Sequence, residues 1–159
     1  MSKSRYFLGV LALLAGTLPA SASAQEFKRE LWLNPGLLSY HFDRSKHYRD
    51  FNYGAGAELI LAPDHALIAG IYENSEDKTS RYLGYQWRPL HWQPSGLRVS
   101  AGVAVSLIDG YPSENNRGWF VAPLPTVSIE GEKFGANFVL IPNVHNGAAV
   151  AVQLKMKVW

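Results

Sequence analysis

After Gln25 the chain alternates between apolar and polar or small residues. Leu97, Val99, Ala101, Val103, Val105 and Leu107 share one parity, and Arg98, Ser100, Gly102, Ala104 and Ser106 share the other. Val150, Val152, Leu154, Met156 and Val158 alternate in the same way with Ala149, Ala151, Gln153, Lys155 and Lys157. Phe51, Tyr53, Ala55, Ala57, Leu59 and Leu61 alternate with Asn52, Gly54, Gly56, Glu58 and Ile60. A period of two sustained over such lengths predicts strands with one apolar face. Turns placed at the Gly, Pro, Asn and Asp clusters divide the chain into eight segments, near 30–42, 51–62, 65–75, 79–89, 97–109, 118–130, 133–142 and 147–158. No stretch of helical period remains.

The connections differ in character. Pro63-Asp64, the segment from Pro89 to Gly96, and Gly131-Glu132 are compact. Asp43 to Asp50, Glu76 to Lys78, Gly110 to Arg117 and Asn143 to Asn146 are polar and mostly longer. An even strand count with compact turns at one end and polar loops at the other is the pattern of an outer-membrane barrel. Many segments run to 10–13 residues, enough for a tilted strand to cross a bilayer, which takes about 9–11 residues. Trp159 ends the chain on the parity of Lys157 and is expected to lie outside the regular register. The expected fold is therefore all-β: an eight-stranded antiparallel up-and-down transmembrane β-barrel. The competing architecture is a soluble sandwich or lipocalin-like barrel. Its outer surface would then be built of Gly54, Gly56, Ser100, Gly102, Ala104, Ala149 and Ala151, which suits a barrel interior better than a wet surface.

An eight-stranded barrel is just wide enough to be filled by its own side chains or to hold one small ligand. Small inward residues predict a cavity. Glu58, Arg98 and Lys155 fall toward the compact-turn end, while Gly54, Ala104 and Ala149 lie toward the loop end. The expected interior is an apolar well above a polar, ion-paired floor, suited to an acyl chain. The alternative is that the small residues pack around aromatics from other strands.

Composition adds a processing signal. Lys3 and Arg5 precede an apolar run from Tyr6 to Ala15, and Ala22-Ser23-Ala24 is a small-x-small cleavage site. Residues 1–24 read as a cleaved signal peptide, and residues 25–159 as one barrel domain. Removing 24 of the 159 residues leaves 135, with 13 basic and 13 acidic side chains. A neutral domain argues against nucleic acid as a partner. The absence of cysteine excludes disulfides, thiolate metal sites and a lipoprotein anchor.

His41 and Ser75 lie at the loop ends of the first and third strands, separated by one strand. A histidine beside a serine offers a general base and a hydroxyl for acyl transfer, although spacing alone allows both to be solvated rim residues. His47 and His65 read as solvated, and His91 as a surface residue of the compact turn. Pro35, Pro125 and Pro142 fall inside strand-like runs. Proline removes a ladder donor, so these mark bulges or gaps through which a lipid could pass sideways.

The segments Tyr40-His41-Phe42, Tyr72-Glu73-Asn74-Ser75, Gly84-Tyr85-Gln86-Trp87-Arg88-Pro89-Leu90, and Leu124-Pro125 through Ile141-Pro142 to Trp159 resemble the lipid A palmitoyltransferase family. These are the PagP-type acyltransferases of the Gram-negative outer membrane, and this chain looks like a divergent member. The resemblance implies transfer of a fatty acyl chain from the sn-1 position of a phospholipid donor to a lipid A acceptor, by a monomer with no cofactor and no metal. His41 matches the family's essential histidine and Ser75 its essential serine. Asn74 stands where the family has an aspartate, so Asp43 or Asp77 is an alternative source of the carboxylate. Pro125 and Pro142 match prolines flanking a lateral gap, and Pro35 approximates one at a second gap. Gln86 stands where the family has a glycine at the base of the acyl well, which predicts a shorter or mixed acyl choice. Gly54 and Gly56 are expected to line that well. No family-type amphipathic helix fits between Gln25 and Glu30. Arg44, Lys46, Arg49 and Lys78 are candidates to hold lipid A phosphates. The competing readings are a non-catalytic small barrel, which needs neither His41 nor Ser75, and a lipid A deacylase, whose His-x-Ser pair on one strand is absent.

Overall fold

A computed structural model describes residues 27–45, 47–142 and 147–159. The expected signal peptide and Lys46 lie outside the described residues. Eight strands follow one another: β1 Glu30–His41, β2 Phe51–Ala62, β3 His65–Glu73, β4 Thr79–Trp92, β5 Arg98–Ile108, β6 Phe120–Glu130, β7 Phe134–Ile141 and β8 Ala149–Lys157. Each pairs antiparallel with its neighbours in sequence, and β8 closes on β1. Among the described residues no helix is long and apolar enough to cross a membrane.

The alternation read from the sequence is the pleat of the barrel. Leu33, Leu67, Ile71, Leu83, Val105, Leu107 and Leu154 are exposed on the outside. Aromatics gather on that surface near both ends: Tyr40, Phe42, Phe51, Tyr53 and Trp119 by the longer loops, Trp92, Phe134 and Trp159 by the compact turns. The inward parity carries Ser80, Gln86, Arg88, Ser100, Ala104, Ser106, Thr126, Ser128, Asn137 and Lys155, all buried.

The compact-turn end is plugged by charge. Glu58 accepts hydrogen bonds from Lys155 at 2.9 Å and Arg88 at 3.2 Å. Glu130 accepts from the same two side chains at 2.7 Å and 2.9 Å. Arg98 extends the cluster, 3.0 Å from Glu130 and 2.5 Å from Glu30. The indole of Trp32 donates to Glu30 at 3.0 Å and lies 5.0 Å from the Lys155 ammonium. Trp32, Ile60 and Ala66 form the one small apolar core cluster among the described residues. Buried charges persist only when paired, and each charge here has an ion-pair partner; Arg88 Nε alone in the cluster makes no hydrogen bond among the described residues.

Two ladders are incomplete. Between β1 and β8 pairing stops at Leu33 with Met156 and resumes at Leu38 with Val152. Pro35 sits within that break. Gly36 follows it at φ +107°, with the Asn52 carbonyl where a Cβ would go, so glycine alone fits. Between β6 and β7 pairing runs from Glu130 with Gly135 to Thr126 with Val139 and ends, although β6 continues to Phe120. The β5–β6 register is unbroken past Pro123 and Pro125. The donors those prolines lack therefore fall on the β7 side.

One expectation about the turns changes. Strand β4 runs past Pro89 to Trp92, with a register shift between Trp87 and Leu90 absorbing the proline. His91 is therefore a strand residue opposite Ser100 rather than part of the turn. The turn itself is Pro94–Gly96.

Candidate active site

The well expected from the small inward residues exists as a cavity of about 370 Å³ within the barrel, toward the longer loops. Ile68, Ala104, Ser106, Ile108, Phe120, Leu124, Val139 and Ala151 form much of its wall. Val121 and Pro123 belong to the lining too, although both are on the outward parity of β6. With Ile141 and Pro142 they carry the lining to the outward side of β6, where the β6–β7 ladder ends. Pro142 follows the last residue of β7 rather than lying within a strand, and it belongs to the lining. Pro125 is exposed on β6 just below and is not part of the lining.

His41 and Ser75 line this same cavity. The loop between β1 and β2 joins them. Ser39 N donates to Asp50 O at 2.8 Å, and Arg49 N donates to Ser75 O at 3.1 Å. Tyr48, on that loop, sets its ring 4.5 Å from the His41 ring. Both His41 nitrogens are buried and without a hydrogen-bond partner among the described residues. Ser75 is itself buried.

Asn74 is fully buried but is not part of the cavity wall. Its Nδ2 donates to Ser80 Oγ at 2.9 Å and to Gly110 O at 3.1 Å. Its Oδ1 accepts from Glu76 N at 2.9 Å and Lys78 N at 3.1 Å. Two donors and two acceptor sites are the whole hydrogen-bonding capacity of a carboxamide. Asn74 thus shapes the β3–β4 turn that presents Ser75. The alternative carboxylates are engaged as well: Asp77 pairs with Arg49 at 2.7 Å, and Asp43 accepts from Ser45 Oγ at 2.6 Å.

The loop between β5 and β6 contributes residues that the sequence did not single out. Tyr111 lines the cavity and shares a 3.0 Å hydrogen bond with Tyr72. Burial, reinforced by Tyr72, holds the Tyr111 phenol well above its usual pKa, so it stays neutral. Ser113 hydrogen-bonds Glu76 across the mouth. Asp109 anchors the loop through Arg81, accepting from its backbone N at 2.7 Å and its Nε at 2.9 Å. Burial acts to raise the Asp109 pKa, but these bonds outweigh it and hold the carboxyl below its ordinary value.

Gly54 and Gly56 lie outside the cavity lining. A Cβ on Gly56 would strike the Tyr82 hydroxyl and the Asn34 carboxamide, one on Gly70 would strike the Tyr82 ring, and one on Gly54 would strike Ile71 O and Tyr72. At this level the small residues accommodate tyrosines, and the cavity lies against Tyr82 and Tyr72 themselves. Gln86 lines the inner end and is 2% exposed.

The basic loop residues are already neutralised in part. Arg44 pairs with Asp50 at 3.2 Å, and Arg49 with both Glu73 and Asp77. Among the described residues no group of three or more His, Asp or Glu side chains could hold a metal ion.

No family model matches the chain. The chain is 29% identical over 118 residues to a protein named lipid A acyltransferase PagP from Laribacter hongkongensis strain HLHK9. The match takes in 70% of this chain and 55% of that protein, so the chain spans about half the length of the curated relative it matches. This likeness and the closed eight-stranded barrel together support a divergent member of the PagP-type family.

Proposed function

We propose that the chain is an outer-membrane acyltransferase that moves a fatty acyl chain from a phospholipid to lipid A. The observation that carries this reading is that His41 and Ser75 line one apolar cavity whose lining reaches the outward side of β6, where the β6–β7 ladder ends. A non-catalytic barrel has no use for that combination. The apolar outer face with aromatics at both ends suits a bilayer. The longer loops then face outward, where lipid A resides, and the signal peptide directs export. One chain closes the barrel, so the working unit is a monomer.

In the proposed reaction the phospholipid inserts its acyl chain through the lateral opening, with its ester at the mouth. His41 takes the proton from a lipid A hydroxyl as that oxygen attacks the ester carbonyl. Ser75 donates a hydrogen bond to the carbonyl oxygen as negative charge develops there. When the carbon–oxygen bond to glycerol breaks, His41 returns the proton to the leaving oxygen. One ester is made, one is broken and a lysophospholipid departs, with no cofactor required. Asn74 acts as a positioning residue through the turn that carries Ser75. Gln86 at the inner end favours a chain shorter than palmitate, or a mixture of chains.

The test is a mass spectrum of lipid A from outer membranes expressing the chain, beside a His41→Ala control. The expected result is a gain of one acyl group that the control lacks. No gain from a folded, inserted barrel would leave a non-catalytic barrel, and a loss of mass would indicate a deacylase.

A further inference from the structure

The inner end of the cavity is made of hydrogen-bonding side chains beneath walls that are largely apolar. Asn137 donates to Glu58 at 2.8 Å and to Gln153 at 3.3 Å. Gln86 and Thr126 complete this end, at 2% and 3% exposure. Unlike Asn137, they are not satisfied: Gln86 Oε1 and Thr126 Oγ1 have no hydrogen-bond partner among the described residues. Leaving such an atom unmet in a dry site costs roughly a factor of ten in an equilibrium constant. A saturated chain pressed onto this floor would seal both atoms against methylene groups.

We propose that the inner end is a hydroxyl-binding subsite formed by Gln86 and Thr126. A hydroxyl is donor and acceptor at once, so it serves an amide oxygen and a threonine hydroxyl alike. The oxygen comes either from water retained beneath a short chain or from a hydroxyl on the distal part of the acyl chain. The inference rests on the acyl-well reading above, and it differs from a limit set by steric depth. Leucine resembles glutamine in size but offers no hydrogen bond, so a purely steric floor would not register Gln86→Leu.

The test uses the full processed chain folded in detergent. A fluorescent alkylphosphocholine is displaced by dodecylphosphocholine or by its ω-hydroxy counterpart. Gln86→Leu and Thr126→Val are run beside the parent, each checked for a folded barrel by heat-modifiable migration. The expected result is that both variants lose about tenfold in affinity for the ω-hydroxy ligand relative to the plain one. If the chain supplies the oxygen, the parent binds the ω-hydroxy ligand about tenfold more tightly. If water supplies it, the parent binds the two alike, and the variants gain affinity for a longer plain chain. An unchanged ratio in both variants overturns the subsite, as does failure of both ligands to displace the probe. Transfer from an unsubstituted phospholipid is measured separately. Its absence alongside the expected displacement pattern would sink the acyltransferase reading and leave the subsite standing.

Discussion

The Asn74 carboxamide donates to the carbonyl oxygen of Gly110 at 3.1 Å, which ties the β3–β4 turn to the loop that follows β5. An aspartate at this position would set a carboxylate oxygen against that carbonyl and lose the donor. The carboxamide at position 74 therefore helps to fix the turn that carries Ser75. Asn74→Asp is expected to lower acyl transfer rather than restore a missing function, and to destabilise the fold by about 1–3 kcal/mol through the unmet Gly110 oxygen. Thermal unfolding and transfer rate, measured on the same preparation, check both effects.

The lateral opening makes a second prediction. Pro123 and Pro125 deny β6 two donors on the side facing β7. Replacing both with valine supplies those donors and lets the ladder extend beyond Thr126 and Val139. Two hydrogen bonds add about 1–3 kcal/mol of stability in total. Closure of the opening should slow transfer by roughly tenfold or more, an effect of about 1.4 kcal/mol on the barrier. Amide exchange on β6 and β7 would report the new pairing. A closed ladder with undiminished transfer would show that the acyl chain enters another way.

The charged plug makes a third. Lys155 is buried and bonds both Glu58 and Glu130. Lys155→Met removes the cation and leaves two buried carboxylates short of a partner. The expected loss is about 3–5 kcal/mol, the range for breaking a buried pair from one side. Denaturant unfolding in lipid vesicles measures it.

Asp109 gives the protein an acid-sensitive rim. Arg81 holds its folded pKa below the ordinary value against the opposing effect of burial. The folded state thus favours the ionised form. That contribution is complete above the unfolded carboxyl value of about 3.9 and is lost as pH falls through the lower folded value. Asp109→Asn should melt at a lower temperature than the parent near neutral pH, and the difference should narrow as the pH drops below about 4. A constant difference across that range would show that the ion pair with Arg81 does not set the acid response.

The fold was legible because a closed barrel imposes a period of two on every strand. Val103, Val105 and Leu107 could only face outward once Gly102, Ala104 and Ser106 faced inward, and the barrel's polar floor followed from the positions of Glu58 and Lys155. What escaped depends on contacts across the barrel, which leave no local trace. The Tyr82 hydroxyl reaches Gly56 from two strands away, so a glycine that read as cavity wall instead makes room for a side chain. The sequence pattern ends the fourth segment near Pro89, because the register shift that carries β4 past that proline is set by pairing with β5. Tyr111 lay in a polar loop whose return over the mouth is fixed by its bond to Tyr72. Pro123, rather than Pro125, lines the cavity.

In the proposed function this barrel transfers an acyl chain between two lipids. The most direct measurement incubates the folded protein with purified lipid A and a phospholipid carrying different chains at its two glycerol positions, and follows every product by mass spectrometry. The expected products are acylated lipid A and lysophospholipid in equal amounts, with the chain drawn from one glycerol position, and neither product from Ser75→Ala. Free fatty acid without acylated lipid A, or no product from a folded parent protein, would contradict the proposed function.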